Sequence, residues 1–316
     1  MTDSDEHPGR RDGPAATPYA AIVAVGPGPL EVPRLKDLAD SIAHHEPGAA
    51  TLVIVDDAPT ARKLATLVAR PGMLDAIDIH HVRHSRSREY TSGKGICSAI
   101  MAGVQAVQQR LAVRFALKLD TDSLVIAPFR ARMVARLDRH PRMGMIGAYR
   151  HTPTGAARDW TMHERPIGRL ARRWMLPRAS SPPAAVRRHF RAVLAEARKN
   201  GYVPGEHCLG GGYALTRDLL DRMAARGWLD RPSFWESIDL PEDVTIGMHV
   251  RAVGMEFVDD VGFGDIFGVR HIGLAFPPPH LLARGYSIIH AVKNDPSLPE
   301  AEIRAFFADR RMAEAR

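Results

Sequence analysis

The chain has 316 residues, 45% hydrophobic and 25% charged, with a net charge of +7; this allows one large domain or two small ones and excludes a chain disordered throughout. Two cysteines, Cys97 and Cys208, exclude a disulfide framework and a cysteine-rich zinc site, and both read as buried small apolar residues. Only six of the 43 basic residues are Lys, so Arg dominates, with a planar fork suited to phosphate and carboxylate; the excess reads as spread along much of the chain, which disfavours nucleic acid as a partner.

Residues 1–18 are polar, rich in Pro and Gly, and lack an apolar run of signal-peptide length, so they read as a flexible tail. No later stretch approaches the ~20 apolar residues of a spanning helix. A cytoplasmic location is expected, with contact at a membrane surface left open. Tyr19 to Val25 is a buried strand ending in Gly-Pro-Gly-Pro, and Pro33 to His45 has helical spacing. Thr51 to Val55 is a second buried strand that stops at Asp56-Asp57. Thr60 to Ala69 follows as a helix, Ala76 to Val82 as a weaker strand and Gly95 to Leu111 as a long helix. Phe115 to Leu119 is another strand, ending at Asp120-Thr121-Asp122, and Met143 to Ala148 one more.

Residues 150–200 break the alternation and read as a helical insertion that includes a helix from Arg187 to Lys199. Its arginines, with Ile167, Leu170, Trp174 and Met175 as an apolar stripe, suggest contact with the acceptor or an anionic surface; the alternative is a solvated helical flap packed on the core. Gly210-Gly211-Gly212 leads into a further regular segment, and Arg217 to Arg226 is a helix. Pro241-Glu242-Asp243 opens a helix over Val244 to Val253, and Glu256 to Val258 is a short strand. A loop bearing Pro277-Pro278-Pro279 precedes Ser287 to Lys293, and Pro299 to Arg310 is a terminal helix. The pattern predicts an α/β domain over 19–295, with a mostly parallel central sheet flanked by helices, and a C-terminal helix within 296–316. Ligands then bind beyond the carboxyl ends of the strands, where both acidic pairs lie.

Asp120 and Asp122 end an apolar strand one residue apart, and in extended geometry both point to one face. Two hard oxygen donors there suit Mg²⁺ or Mn²⁺ carrying a diphosphate. A phosphatase of the haloacid-dehalogenase type would instead use Asp120 as nucleophile, although that signature usually opens its fold. Glu242 and Asp243 are ordinary helix-start acids or, beside a cleft, a general base. Three glycines at 210–212 let chain or ligand approach closely. His290 is suited to a metal and Lys293 to phosphate, with His271 and His280 as competitors.

In this order the features resemble the GT-A glycosyltransferases. Val55-Asp56-Asp57-Ala58, with Gly93-Lys94-Gly95 opening a helix, resembles the inverting family that includes cellulose and hyaluronan synthases. The acidic metal motif, the Gly-Gly-Gly-Tyr turn, Glu242-Asp243-Val244 and a late His resemble the Fringe and core 1 galactosyltransferase kind. The resemblance covers about Tyr19 to Asn294. It implies transfer from a nucleotide-diphosphate sugar, such as a UDP-sugar, to a hydroxyl of a glycan, lipid-linked or small-molecule acceptor. Asp56 or Asp57 would contact the nucleotide base, Asp120 the ribose or metal, and Asp122 the metal. Asp243 would be the base and His290 the C-terminal metal ligand, though His271 sits at a spacing some relatives use. Lys293 and Lys94 would add charge at the diphosphate. The chain departs from the pattern in lacking the longer acidic run and the paired cysteines of secreted relatives, and 150–200 has no counterpart. A non-catalytic nucleotide-sugar-binding module is the remaining alternative.

Overall fold

Alternate residues of the first strand feed opposite hydrophobic layers, so it is buried on both faces. Tyr19, Ala21 and Val23 join one core, while Ala20 and Ile22 join the other. The computed structural model describes residues 19–69, 75–81, 96–172 and 182–315. The N-terminal tail therefore lies outside the described residues. So do Lys94 with its flanking glycines, and Trp174 and Met175.

The first half runs β1 (Tyr19–Val25), α1 (Glu31–His45), β2 (Ala50–Asp56), α2 (Leu64–Val68), β3 (Asp75–His80), α3 (Ile96–Arg110) and β4 (Phe115–Leu119). Then come β5 (Leu124–Val125), α4 (Arg130–Arg139), β6 (Met143–Gly147), α5 (Glu164–Ala171) and α6 (Ala184–Lys199). The rest comprises β7 (Gly212–Thr216), α7 (Arg217–Ala225), α8 (Glu242–Ala252), β8 (Glu256–Asp259), β9 (Phe267–Val269), α9 (Pro278–Ala283), β10 (Ile288–His290) and α10 (Glu300–Glu314). A seven-stranded sheet has the order β3-β2-β1-β4-β7-β6-β8. It is mostly parallel, with β7 antiparallel to both β4 and β6. Helices cover both faces, as the alternation predicts.

A second sheet, β5-β10-β9, was not foreseen. Its strands have two or three residues, too few for a periodic signal. Also unforeseen was α4, which buries only Met133. Its cap is remote, for Glu46 Oε1 accepts the N–H groups of Phe129 at 2.6 Å and Arg130 at 2.8 Å. The Pro277-Pro278-Pro279 loop carries α9, with proline in its first turn. Helix α2 is shorter than expected, because 57–63 is a loop held by Asp56. No described helix is long and apolar enough to cross a membrane.

In the insertion, α6 buries Val186, Phe190, Val193, Leu194 and Ala197 and packs on α5 and α8. Ile167 is buried and Leu170 packs against the same core. The described members of the expected apolar stripe therefore face the protein, which corrects the reading of them as a membrane-facing strip.

Candidate active site

Two strand ends and one helix start meet at the carboxyl edge of the large sheet. Strand β4 delivers Asp120 and Asp122, but not by extended alternation. Ser123 N–H donates to the Asp120 carbonyl at 3.0 Å, so a turn brings the carboxylates together. The chain then enters β5, and β10 pairs antiparallel with it. That pairing carries His290 across about 170 residues of sequence to the same turn. Candidate ligand atoms of Asp120, Asp122 and His290 lie within 4.8 Å of one another. His290 Nε2 is 3.5 Å from an oxygen of each aspartate. Its Nδ1 bonds the Arg270 carbonyl at 2.7 Å. A carbonyl only accepts, so Nδ1 carries a proton, and Nε2 is the nitrogen turned to the acids.

Asp122 is fully buried, yet neither carboxylate oxygen has a hydrogen-bond partner among the described residues. Lys293 Nζ faces Oδ1 at 3.3 Å. Burial acts to raise the Asp122 carboxyl, but His290 and Lys293 outweigh it and hold the group well below the carboxylate range. Burial likewise acts to lower His290, and the aspartates reverse it, so the imidazole is raised. Two carboxylates and an imidazole nitrogen in one cluster, with the buried Asp122 lacking a hydrogen-bond partner among the described residues, fit a hard divalent cation that would replace the proton on Nε2. His271, the alternative ligand, is not in this cluster, and neither is His280.

Lys118, which sequence reasoning passed over, lies at the floor of the site. It is 1% exposed, in the middle of β4. Its Nζ donates to Asp120 Oδ1 at 2.6 Å, lies 2.9 Å from Glu242 Oε1 and donates to the Gly210 carbonyl. Burial would lower this amine, but Asp120 and Glu242 hold it above its ordinary value, so it stays charged. One buried ammonium thus joins the metal-type cluster to the start of α8. The visible signal was a lone Lys inside an apolar strand, which must find partners when buried.

Glu242 and Asp243 open α8 and are both buried. Burial pushes Glu242 up to about 7, against the opposing charge of Lys118. Burial raises Asp243 too, against the Val244 N–H that donates to its Oδ1 at 2.8 Å. Asp243 Oδ2 faces His207 Nε2 at 3.4 Å. His207 Nδ1 bonds the Gly205 carbonyl at 2.6 Å, and its Nε2 accepts from Arg158 Nη2 at 2.8 Å. Burial and Arg158 lower this imidazole to about 3, so it is neutral. Arg158 also donates to the His207 and Tyr149 carbonyls at 2.7 and 3.1 Å. Arg158 and His207, at the two ends of the insertion, were likewise missed. Nothing in their local sequence marks them.

The glycine loop runs between the two acidic groups. A Cβ on Gly210 would lie 2.8 Å from Glu242 Oε1 and 2.9 Å from Asp243 Oδ2, and one on Gly211 would lie 2.0 Å from His290 Nδ1. The requirement is close approach, not an unusual φ.

At the end of β2 the second acidic pair behaves differently. Asp56 accepts from Ala58 N at 3.1 Å, Arg62 N at 2.7 Å, and Arg62 Nε and Nη2 at 3.0 and 2.6 Å. Burial acts to raise its carboxyl, and the Arg62 and backbone bonds hold it below its ordinary value. Arg62 also caps the carbonyls of Val25 and Gly26. Asp56 is thereby committed to its own loop. Asp57 is buried beside it, its N–H donating to Val25 O at 3.1 Å. Trp235 belongs to the core, its ring 5.1 Å from that of His249. Cys97 and Cys208 are buried, and burial pushes both thiols up, away from nucleophilic use.

No protein-family model matches the chain, and a search of curated proteins gives no match. Among solved structures the chain is similar to the apo form of mouse xyloside xylosyltransferase 1, at 12% identity and TM-score 0.41, over 88% of this chain and 99% of that one. It is similar to the mannosyltransferase PcManGT from Pyrobaculum calidifontis, in complex with GDP-Man and Mn²⁺, at 15% identity and TM-score 0.42, over 94% and 63%. It is also similar to the galactosyltransferase LgtC, in complex with donor and acceptor sugar analogs, at 10% identity and TM-score 0.47, over 93% and 95%. What chemistry this chain can perform is set by its own residues.

Proposed function

We propose that the chain is a GT-A-type glycosyltransferase that moves a sugar from a nucleotide-diphosphate sugar to an acceptor hydroxyl with the help of a divalent cation. The reading is carried by the convergence of Asp122, buried with no hydrogen-bond partner among the described residues, with Asp120 and the His290 Nε2. Asp120, Asp122 and His290 would hold Mn²⁺ or Mg²⁺. When bound, the cation supplies Lewis-acid stabilisation to a leaving diphosphate. Lys293 adds a positive charge on the same side. Asp56 or Asp57 would meet the nucleotide base.

Asp243 takes the proton of the acceptor hydroxyl. The acceptor oxygen bonds to the anomeric carbon as the bond to the diphosphate breaks, and the nucleotide, a UDP in the simplest case, leaves with the electron pair. One base opposite one leaving group gives direct displacement and inversion. The burial that raises Asp243 strengthens it as a base. Arg158 and His207 hold its other side, and Lys118 fixes the distance between base and metal ligands.

Calorimetric titration of UDP in the presence of Mn²⁺ tests the reading. Wild type binds, and Asp122→Ala loses the metal-dependent affinity. Unchanged affinity in the variant removes the metal site. Phosphate release from a monoester through a covalent Asp120 adduct would replace the transferase with a phosphohydrolase.

A further inference from the structure

Counted by segment, the basic excess is not spread along the chain. Residues 158–199 hold eleven Lys and Arg against three Asp and Glu, a net +8, while the whole chain carries +7. Everything outside the segment is therefore close to neutral. A general Arg bias of composition would not concentrate charge in this way.

The structure turns this charge outward. Arg165, Arg169 and Arg172 recur at four- and three-residue spacing along and just beyond α5, and all three are exposed. Met162, in the 3-10 turn leading into α5, continues the stripe and is 74% exposed. On the neighbouring α6, Arg188 and Arg198 are exposed as well. Among the described residues no carboxylate pairs with any of these arginines; the one ion pair on α6 is Lys199 with Glu196. Arginine charge left unpaired on two packed helices repels itself, and an anionic partner relieves that cost.

We infer that the outer face of α5 and α6 docks on an anionic lipid surface. An exposed methionine in line with arginines suits the headgroup boundary, where apolar atoms enter and guanidinium groups meet phosphates. Single-stranded nucleic acid is less well served, because stacking needs exposed rings. Among the described residues here, Phe190 and Tyr202 are buried, and Trp160 stacks on Tyr149 at 5.2 Å. The inference does not depend on the transferase reading, since lipid binding and sugar transfer are measured separately.

Sedimentation of the full chain with vesicles decides it. At low salt the protein should pellet with phosphatidylcholine–phosphatidylglycerol vesicles and not with phosphatidylcholine alone, and high salt should release it. Each arginine is worth about fivefold in partitioning, so Arg165→Gln/Arg169→Gln/Arg172→Gln should lose about a hundredfold. Because these side chains are exposed and unpaired, the variant should keep the wild-type melting temperature. Failure to pellet with anionic vesicles at low salt, or equal pelleting of the variant, overturns the inference. Salt-sensitive binding to RNA or heparin without binding to vesicles overturns it in favour of a soluble polyanion.

Discussion

The ends of β2 and β4 look alike in sequence, each an apolar run closed by a pair of aspartates, and they do opposite things. At β2 the Asp56 carboxylate accepts from Ala58 and from the backbone and guanidinium of Arg62. At β4 neither Asp122 oxygen has a hydrogen-bond partner among the described residues, and Lys293 Nζ and His290 Nε2 stand off at 3.3 and 3.5 Å. A saturated acid holds its own loop, whereas a buried acid with unfilled oxygens could hold a cation. Hydrogen-bond saturation separates the two where spacing does not.

The largest expected effect breaks the comparison at β4. In wild type, Mn²⁺ with UDP should raise the melting temperature, and in Asp122→Ala that rise should vanish. A rise of wild-type size in the variant would place the cation elsewhere. Next comes the base. Asp243→Asn keeps shape and hydrogen bonding but cannot take a proton, so turnover should fall by about 10²-fold or more while UDP affinity holds. Near-normal turnover would leave Asp243 as a helix-start acid and nothing more.

The reverse outcome is expected at β2. Asp56→Asn loses the charged bonds to Arg62, which is partly exposed, so stability should fall by about 1–3 kcal/mol. Chemical denaturation measures that loss, and the Mn²⁺ response should survive on the lowered baseline. Loss of nucleotide affinity without loss of stability would reverse the assignment of the two ends. The smallest effect is in pH. The base works ionised, and burial raises both Glu242, to about 7, and Asp243. Turnover should therefore fall about tenfold per unit as pH drops below the apparent pKa of this pair, which burial places above the ordinary carboxylate range. Lys118 lowers Glu242, so Lys118→Met should shift this limb to higher pH in a pH–rate profile. An unmoved limb would separate Lys118 from the acids of α8.

Much of the scaffold was legible because burial on both faces writes continuous apolar runs. Strands β1, β2 and β4 stand where those runs lie, and α8 begins at Pro241-Glu242-Asp243. Less was legible where partners are remote. Helix α4 is capped by Glu46 from another part of the chain, and β5, β9 and β10 exist only through one another. Within the site, the aspartates of β4 and His290 could be named from residue type and order, and they do come together. That Asp56 is spent on Arg62 could not be read from the adjacent pair. Lys118 was printed inside an apolar strand, where its charge needed explaining. Arg158 and His207 carry no local mark, since only folding of the insertion brings them to Asp243.

The most direct measurement is nucleotide release from a panel of nucleotide sugars, followed in wild type with Mn²⁺, in wild type with chelator, and in Asp122→Ala with Mn²⁺. The account predicts release from at least one sugar in the first case only, with Asp120, Asp122 and His290 holding the cation. Equal release under chelation, or release at the wild-type rate by Asp122→Ala, would contradict it.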